Sequence, residues 1–247
     1  MPDQSLCPVR ISIATIPRVL ARGWADFAAS RMVSVVFALV FALIGVVIIA
    51  AIEHLGVAPM LLPLAGGFML VGPILLAGFF SLADRLEAGD LPRFGQVLDG
   101  FRTAPSGLWI VAAVCAMLFM IWVTDAATVY SFTVGGRPLP FLGLLPAREG
   151  VASFALWSSV MGAVIALVIF AISAFSVPLL HYRRATVVGA VSASARGVFA
   201  NFPVMLPWAV LLAVAVMGSI LFVPAFPVVF PVLAYASRAL YQEVFPP

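Results

Sequence analysis

Side chains able to carry chemistry are scarce in this chain, and two groups of them could act together. Glu53 and His54 are adjacent, and Asp125 falls at the matching end of a later apolar stretch. Two carboxylates and an imidazole could relay a proton or hold a metal ion, because imidazole titrates near neutral pH and N/O ligand sets suit divalent metals. Metal centres usually draw on three or four ligands at motif spacing, which these residues lack; the alternative is that all three are wetted residues at a membrane rim. The second group is basic. Arg22, Arg102, Arg183, Arg184 and Arg196 are candidate contacts for anionic lipid headgroups, and His181, beside two of them, is expected to touch headgroups as well. Anchoring of the chain's topology explains the same arginines equally well.

All 13 basic residues are arginine, so Schiff-base and P-loop lysine chemistry are excluded. The sequence has no nucleophile paired with a base, no Walker loop, no HExxH pattern and no glycine-rich nucleotide fingerprint. An enzyme is therefore not expected, nor a cofactor or metal. Cys7 stands in the polar N-terminal tail and Cys115 inside an apolar run, so a disulfide between them is not expected either.

The elements that must position these residues are set by composition. Of 247 residues, 64% are hydrophobic and 9% charged, with a mean hydropathy of +1.19. A soluble domain carries about 25% charged residues, so the solvent here is a membrane. Uncharged stretches run close to or beyond the roughly 20 residues that cross a bilayer. An all-α polytopic membrane protein follows, with six spans at about 32–52, 59–82, 107–127, 151–180, 203–222 and 227–241. Residues 1–31 form a tail with an interfacial helix, 32–244 the membrane domain and 245–247 a short C-terminal tail. The polar lead before the first span is longer than a signal peptide's, so that span is expected to stay in the mature protein. The last two spans come from 41 uncharged residues, Gly197 to Ser237, divided where Pro224 and Pro227 must turn the chain.

Eleven arginines fall on one side of these spans: Arg10, Arg18, Arg22 and Arg31, then Arg85, Arg93 and Arg102, then Arg183, Arg184 and Arg196, and finally Arg238. Only Arg137 and Arg148 fall on the other. The positive-inside rule then places both termini in the cytoplasm of a bacterial inner membrane. The same distribution explains the pI of about 9.3 without a nucleic-acid partner.

Three segments before outward-going spans resemble one another: Ala21-Arg22-Gly23-Trp24, Asp99-Gly100-Phe101-Arg102 and Ala195-Arg196-Gly197-Val198. In the first, Leu20, Trp24 and Phe27 share an apolar face opposite Arg18, Arg22 and Asp26; in the second, Phe94, Val97 and Phe101 repeat the stripe. The inward-going spans carry a second echo at Pro73-Ile74-Leu75, Pro178-Leu179-Leu180 and Pro231-Val232-Leu233. Three hairpins, each led by a cytoplasmic interfacial helix, are expected. Ser158, Gly162 and Ala166 form a ridge for close helix packing, and Gly66, Gly67, Gly72 and Gly78 thin the second span.

Pro63-Leu64-Ala65-Gly66-Gly67-Phe68 with Gly72-Pro73 resembles a span of the bacterial integral membrane family called domain of unknown function 2189. So do Ser176-Val177-Pro178-Leu179-Leu180 with Ser194 and Asn201 downstream, and the closing stretch Pro231 to Tyr241. The likeness covers about Arg10 to Val244. The family pattern carries an acidic residue after the fourth span, where this chain has His181-Tyr182-Arg183. The family has no established activity, and some members are described as cytochrome c oxidase proteins. A haem-copper core needs several histidines, and this chain has two, His54 and His181, expected on opposite sides of the membrane. Apolar spans without buried charge point to an accessory, interaction or assembly component of a membrane complex, which the resemblance would make respiratory in one version, with the lipid bilayer and a membrane-protein partner or a second copy as its contacts. A small-solute transporter or channel and an anionic-lipid-binding protein are the alternatives.

Overall fold

The computed structural model describes residues 6–65, 67–135, 139–141 and 149–246, and their side chains except at 67–74 and 149. The described chain is helical, apart from one isolated bridge between Val57 and Leu139. In order the helices are α1 (Thr15–Ala29), α2 (Arg31–Leu55), α3 (Leu61–Ala65), α4 (Gly67–Glu87), α5 (Phe94–Arg102), α6 (Ser106–Thr133), α7 (Glu149–Ser173), α8 (Ser176–His181), α9 (Val187–Ala200), α10 (Phe202–Leu221) and α11 (Phe226–Val244).

Among the described residues, five helical segments are long and apolar enough to cross a membrane: α2, α6, α7 with α8, α10 and α11. The expected crossing at 59–82 opens with a 3-10 turn, Ala58–Met60, in which Pro59 supplies no amide proton; α3 and α4 follow on either side of Gly66. Gly66 and the side chains of Gly67, Gly72 and Pro73 lie outside the described residues, as do Arg137 and Arg148. The large apolar side chains exposed on α2, among them Leu39, Leu43 and Val47, and on α10, Val210 and Val214, have hydrocarbon as their natural solvent.

The turn after α2 forms where Glu53 to Gly56 predicts it. Gly56 takes φ +65°, and its amide together with that of Val57 closes the helix on the Glu53 and Ile52 carbonyls, a left-handed cap that favours glycine. At the far end of the chain, α10 stops at Leu221 and a 3-10 turn through Pro224 leads into α11, with Pro227 inside its first turn.

The three short helices expected in the headgroup plane each pack one face on protein. The buried stripe of α1 is Thr15, Val19, Gly23 and Phe27, while Trp24 is 53% exposed and Leu20 half-buried, so the face turns by about one residue from the expected one. Gly23 is the reason: a Cβ there would stand 2.6 Å from the Val232 carbonyl and 2.7 Å from the Ala236 amide of α11. Without a side chain, α1 lies directly on α11, its most extensive partner. Gly100 does the same for α5, where a Cβ would meet the Ala77 carbonyl of α4 at 2.5 Å. Gly197 of α9 rests against the rings of Phe175 and Phe245.

The fourth expected span is broken between α7 and α8. Pro178 has no amide proton and its ring crowds the carbonyl of Ala174, so the helix cannot run through. Ser194 of α9 fills the gap: its Oγ accepts the Phe175 amide at 3.0 Å and donates to the Ala171 carbonyl at 2.8 Å. Those two groups are the hydrogen-bond pair a continuous helix would have made, and a hydroxyl now stands between them. On the other side of α7, buried Ser158 and Gly162 face α6, with the Trp122 ring seated over Gly162.

Candidate functional site

The described charges gather at the arginine-rich end, where α4, α8 and α11 meet. Arg238 of α11 is 4% exposed. Its Nη1 and Nη2 donate to Glu87 at 2.8 and 2.7 Å, a second bond runs from Nη2 to Asp84 Oδ1 at 2.5 Å, and Nε donates to the Tyr182 hydroxyl at 2.8 Å. Tyr182 in turn donates to Asp84 Oδ1 at 2.9 Å, and His181 Nε2 stands 3.7 Å from Asp84 Oδ2. A planar guanidinium suits such a site because its fork can meet a carboxylate with two parallel bonds.

Each member has a local cause. Asp84 and Glu87 sit one helical turn apart, so both carboxylates leave the same face at the end of α4. The short α8 ends at His181, and its last turn delivers His181 and Tyr182 to the same place, with Arg183 in the left-handed region at φ +53° as the chain reverses. Tyr182 stacks on Tyr241 of α11 at 5.7 Å, one turn beyond Arg238. Burial pushes the Tyr182 phenol well above its ordinary range. Burial would also raise Asp84, but His181, Arg238 and Tyr182 outweigh it and hold the carboxyl below the usual value. Bonds from Arg238 hold Glu87 low.

The residues singled out from sequence lie elsewhere. Glu53 accepts the Phe141 amide at 2.8 Å and so ties the end of α2 to the segment 139–141. His54 and Asp125 are exposed. Among the described residues no three His, Cys, Asp or Glu side chains gather as a metal site would require. Arg102, Arg183 and Arg196 are exposed, and exposed Arg22 stands 3.4 Å from Glu243. Arg184 is half-buried and clamps the C-terminal end, donating to the Phe245 and Pro246 carbonyls at 2.8 Å each and to the Tyr241 hydroxyl at 3.1 Å. His181, expected at the headgroups, is turned inward, edge-on to Phe80, with its Nδ1 buried and unpartnered.

Asp84, Glu87, Tyr182 and Arg238 did not stand out in the sequence as a unit. Two signals point to them afterwards: an acidic pair one turn apart closing an apolar helix, and a single arginine within an otherwise uncharged stretch from Gly197 to Gln242.

Residues 60–181 match the family model described as predicted integral membrane protein (DUF2189). Over that stretch the chain is similar to this family. No curated protein and no solved structure matches it. The matched residues supply Asp84, Glu87 and His181, whereas Tyr182 and Arg238 lie beyond the match. The acidic group that the resemblance leads one to seek after the fourth span is brought there from α4. Other polar residues of the resembling stretches act as pegs. Tyr235 meets the Ser30 and Ser34 hydroxyls at 3.0 and 2.8 Å, and Asn201 holds the N-terminal segment through the Ile11 amide at 2.8 Å and the Val9 carbonyl at 3.0 Å.

Proposed function

We propose that this protein is an accessory component of a bacterial inner-membrane complex, a scaffold or assembly partner rather than a catalyst or a proton-coupled pump. The observation that carries this reading is the closed ion cluster: Arg238 is shared by Asp84, Glu87 and Tyr182, so its charge is committed within the fold. A proton-coupled device needs a group that changes partner or protonation during the cycle, and a buried arginine bonded to Asp84, Glu87 and Tyr182 at once acts as a lock. The apolar cavity between α4, α7, α10 and α11 offers a polar solute little beyond the hydroxyls of Ser173 and Ser237.

The same proposal includes six crossings as three hairpins, with both termini in the cytoplasm. Support comes from the short helices: α5 lies on α4, α9 on α8 and α1 on α11, so each rests on the helix that enters from the preceding unit, and α1 closes the circle with the last one. Purification of the full chain in mild detergent should yield a partner at fixed stoichiometry that survives a salt wash. A monodisperse monomer without partner overturns the scaffold reading. Periplasmic labelling of a cysteine placed in either tail would overturn the topology.

Contact with anionic lipid is a second reading, favoured by the exposure of Arg22, Arg102, Arg183 and Arg196. It fails if replacing these four with glutamine leaves phosphatidylglycerol retention unchanged.

A further inference from the structure

An apolar cavity of about 130 Å³ opens between α4, α7, α8, α10 and α11. Its walls include Leu76, Ile169, Phe175, Trp208, Phe230 and Leu233, and its only hydroxyls are those of Ser173 and Ser237. Ser173 spends its hydroxyl on the Ile169 carbonyl, so one of the two is already satisfied within α7. A cavity of roughly 150 Å³ lined by leucine, isoleucine and phenylalanine stays dry and takes up apolar ligands. Water is therefore a poor occupant here, and so is any polar solute.

The walls indicate how the space is reached. α7 and α10 face one another across it yet barely touch, since α10 is held mainly by α11 and α9. Leu212 and Val216 of α10, Ser173 at the end of α7 and the following Ala174 are half-buried at this cleft, whereas Phe175, Trp208 and Leu233 are buried behind them. Beside the cleft, Val210 and Val214 of α10 and Val168 of α7 are exposed on faces that meet hydrocarbon. The cavity is a side pocket open to the bilayer interior, near the arginine-rich end, because Ser237 and Leu240 bracket Arg238.

We infer that this pocket takes up a segment of one hydrocarbon chain of a membrane lipid, inserted sideways between α7 and α10. Acyl chains of phospholipids and isoprenoid chains share the chemistry that the walls recognise, and only an experiment separates the two sources.

Trp208 provides the reporter, being 2% exposed yet part of the wall. The full-length protein is placed in vesicles of phosphatidylglycerol whose acyl chains carry bromine, and the Trp208 signal is taken as the difference between the parent protein and Trp208→Phe. Quenching of at least half the Trp208 emission is expected. Ala174→Phe, which fills the cleft, should abolish most of that quenching, while Val214→Phe on the exposed face of α10 should leave it unchanged. Unquenched Trp208 in the parent overturns the inference, and so does equal quenching in Ala174→Phe with unchanged thermal unfolding. Should Ala174→Phe not fold, Leu212→Trp is judged by the same criterion. A few mole per cent of unbrominated polyprenol then assigns the source: recovery of Trp208 emission identifies an isoprenoid chain, and persistent quenching a phospholipid chain. Neither result depends on a protein partner, so the accessory role can fail while the pocket stands.

Discussion

Arg238→Met tests the ion cluster by removing the guanidinium while keeping an unbranched, flexible stem. In the folded protein Arg238 is buried and carries three bonds to two carboxylates and one to Tyr182. Removing one partner of a buried pair typically costs about 3–5 kcal/mol, because the remaining charge is left uncompensated. Here the remaining groups are not fully buried: the Asp84 side chain is 35% exposed and that of Glu87 59%. Water can recover part of the loss, so the expected cost is about 2–3 kcal/mol, mostly through Asp84. Replacing the acids separates the contributions. Glu87→Gln should cost under about 1 kcal/mol because its carboxylate is largely wet, and Asp84→Asn about 1–2 kcal/mol because Glu87 still neutralises the guanidinium. The double replacement leaves Arg238 buried and unpaired, and its cost should exceed the sum of the two single ones by at least about 1 kcal/mol. Equilibrium unfolding in mixed micelles, followed by tryptophan emission, measures all four variants. Additivity of the double variant, or an Arg238→Met protein within about 0.5 kcal/mol of the parent, would refute the view that this cluster locks α4, α8 and α11 together.

Acid should loosen the same lock: Asp84 and Glu87 sit below their ordinary values, so their contribution is complete above the usual carboxylate range and falls away as pH drops through the lowered ones. Unfolding measured from pH 7 to pH 3 should therefore show a loss of stability in the parent and a flatter profile in Arg238→Met. Ser194→Ala deletes the hydroxyl between Phe175 and Ala171 and leaves a buried amide and carbonyl without partners, at a cost of about 1–3 kcal/mol; Ser194→Thr should recover part of it, and indifference to both would remove the bridge from the account. Gly100→Ala forces a methyl against the Ala77 carbonyl and should cost about 1–3 kcal/mol, whereas Gly95→Ala in the same helix, where a Cβ meets nothing within 4 Å, should be neutral or slightly stabilising, as compared by thermal unfolding.

What the sequence determined by itself is the solvent and the elements. Long uncharged stretches admit no environment other than hydrocarbon, and a helix in hydrocarbon satisfies its own backbone, so the spans and the turns at Gly56 and Pro224 are legible from local composition alone. Even there, local rules reach only so far. The stripe Leu20-Trp24-Phe27 suggests a helix lying on lipid, but Gly23 allows α11 a closer contact than any side chain would, so the neighbouring face packs on protein while Trp24 stays exposed. Glu53, His54 and Asp125 drew attention because charges near apolar runs are rare, yet rarity says nothing of whether they meet; one binds a loop amide and the other two are exposed. The ion cluster is the reverse case. Asp84, Tyr182 and Arg238 are distant in the chain and each is ordinary in its own neighbourhood, two acids closing a helix, a tyrosine in a turn, an arginine that reads as one more topological anchor. Only tertiary structure decided that they share one site, because their meeting depends on three helices crossing at one point, and a crossing is fixed by packing between elements, which no local pattern encodes.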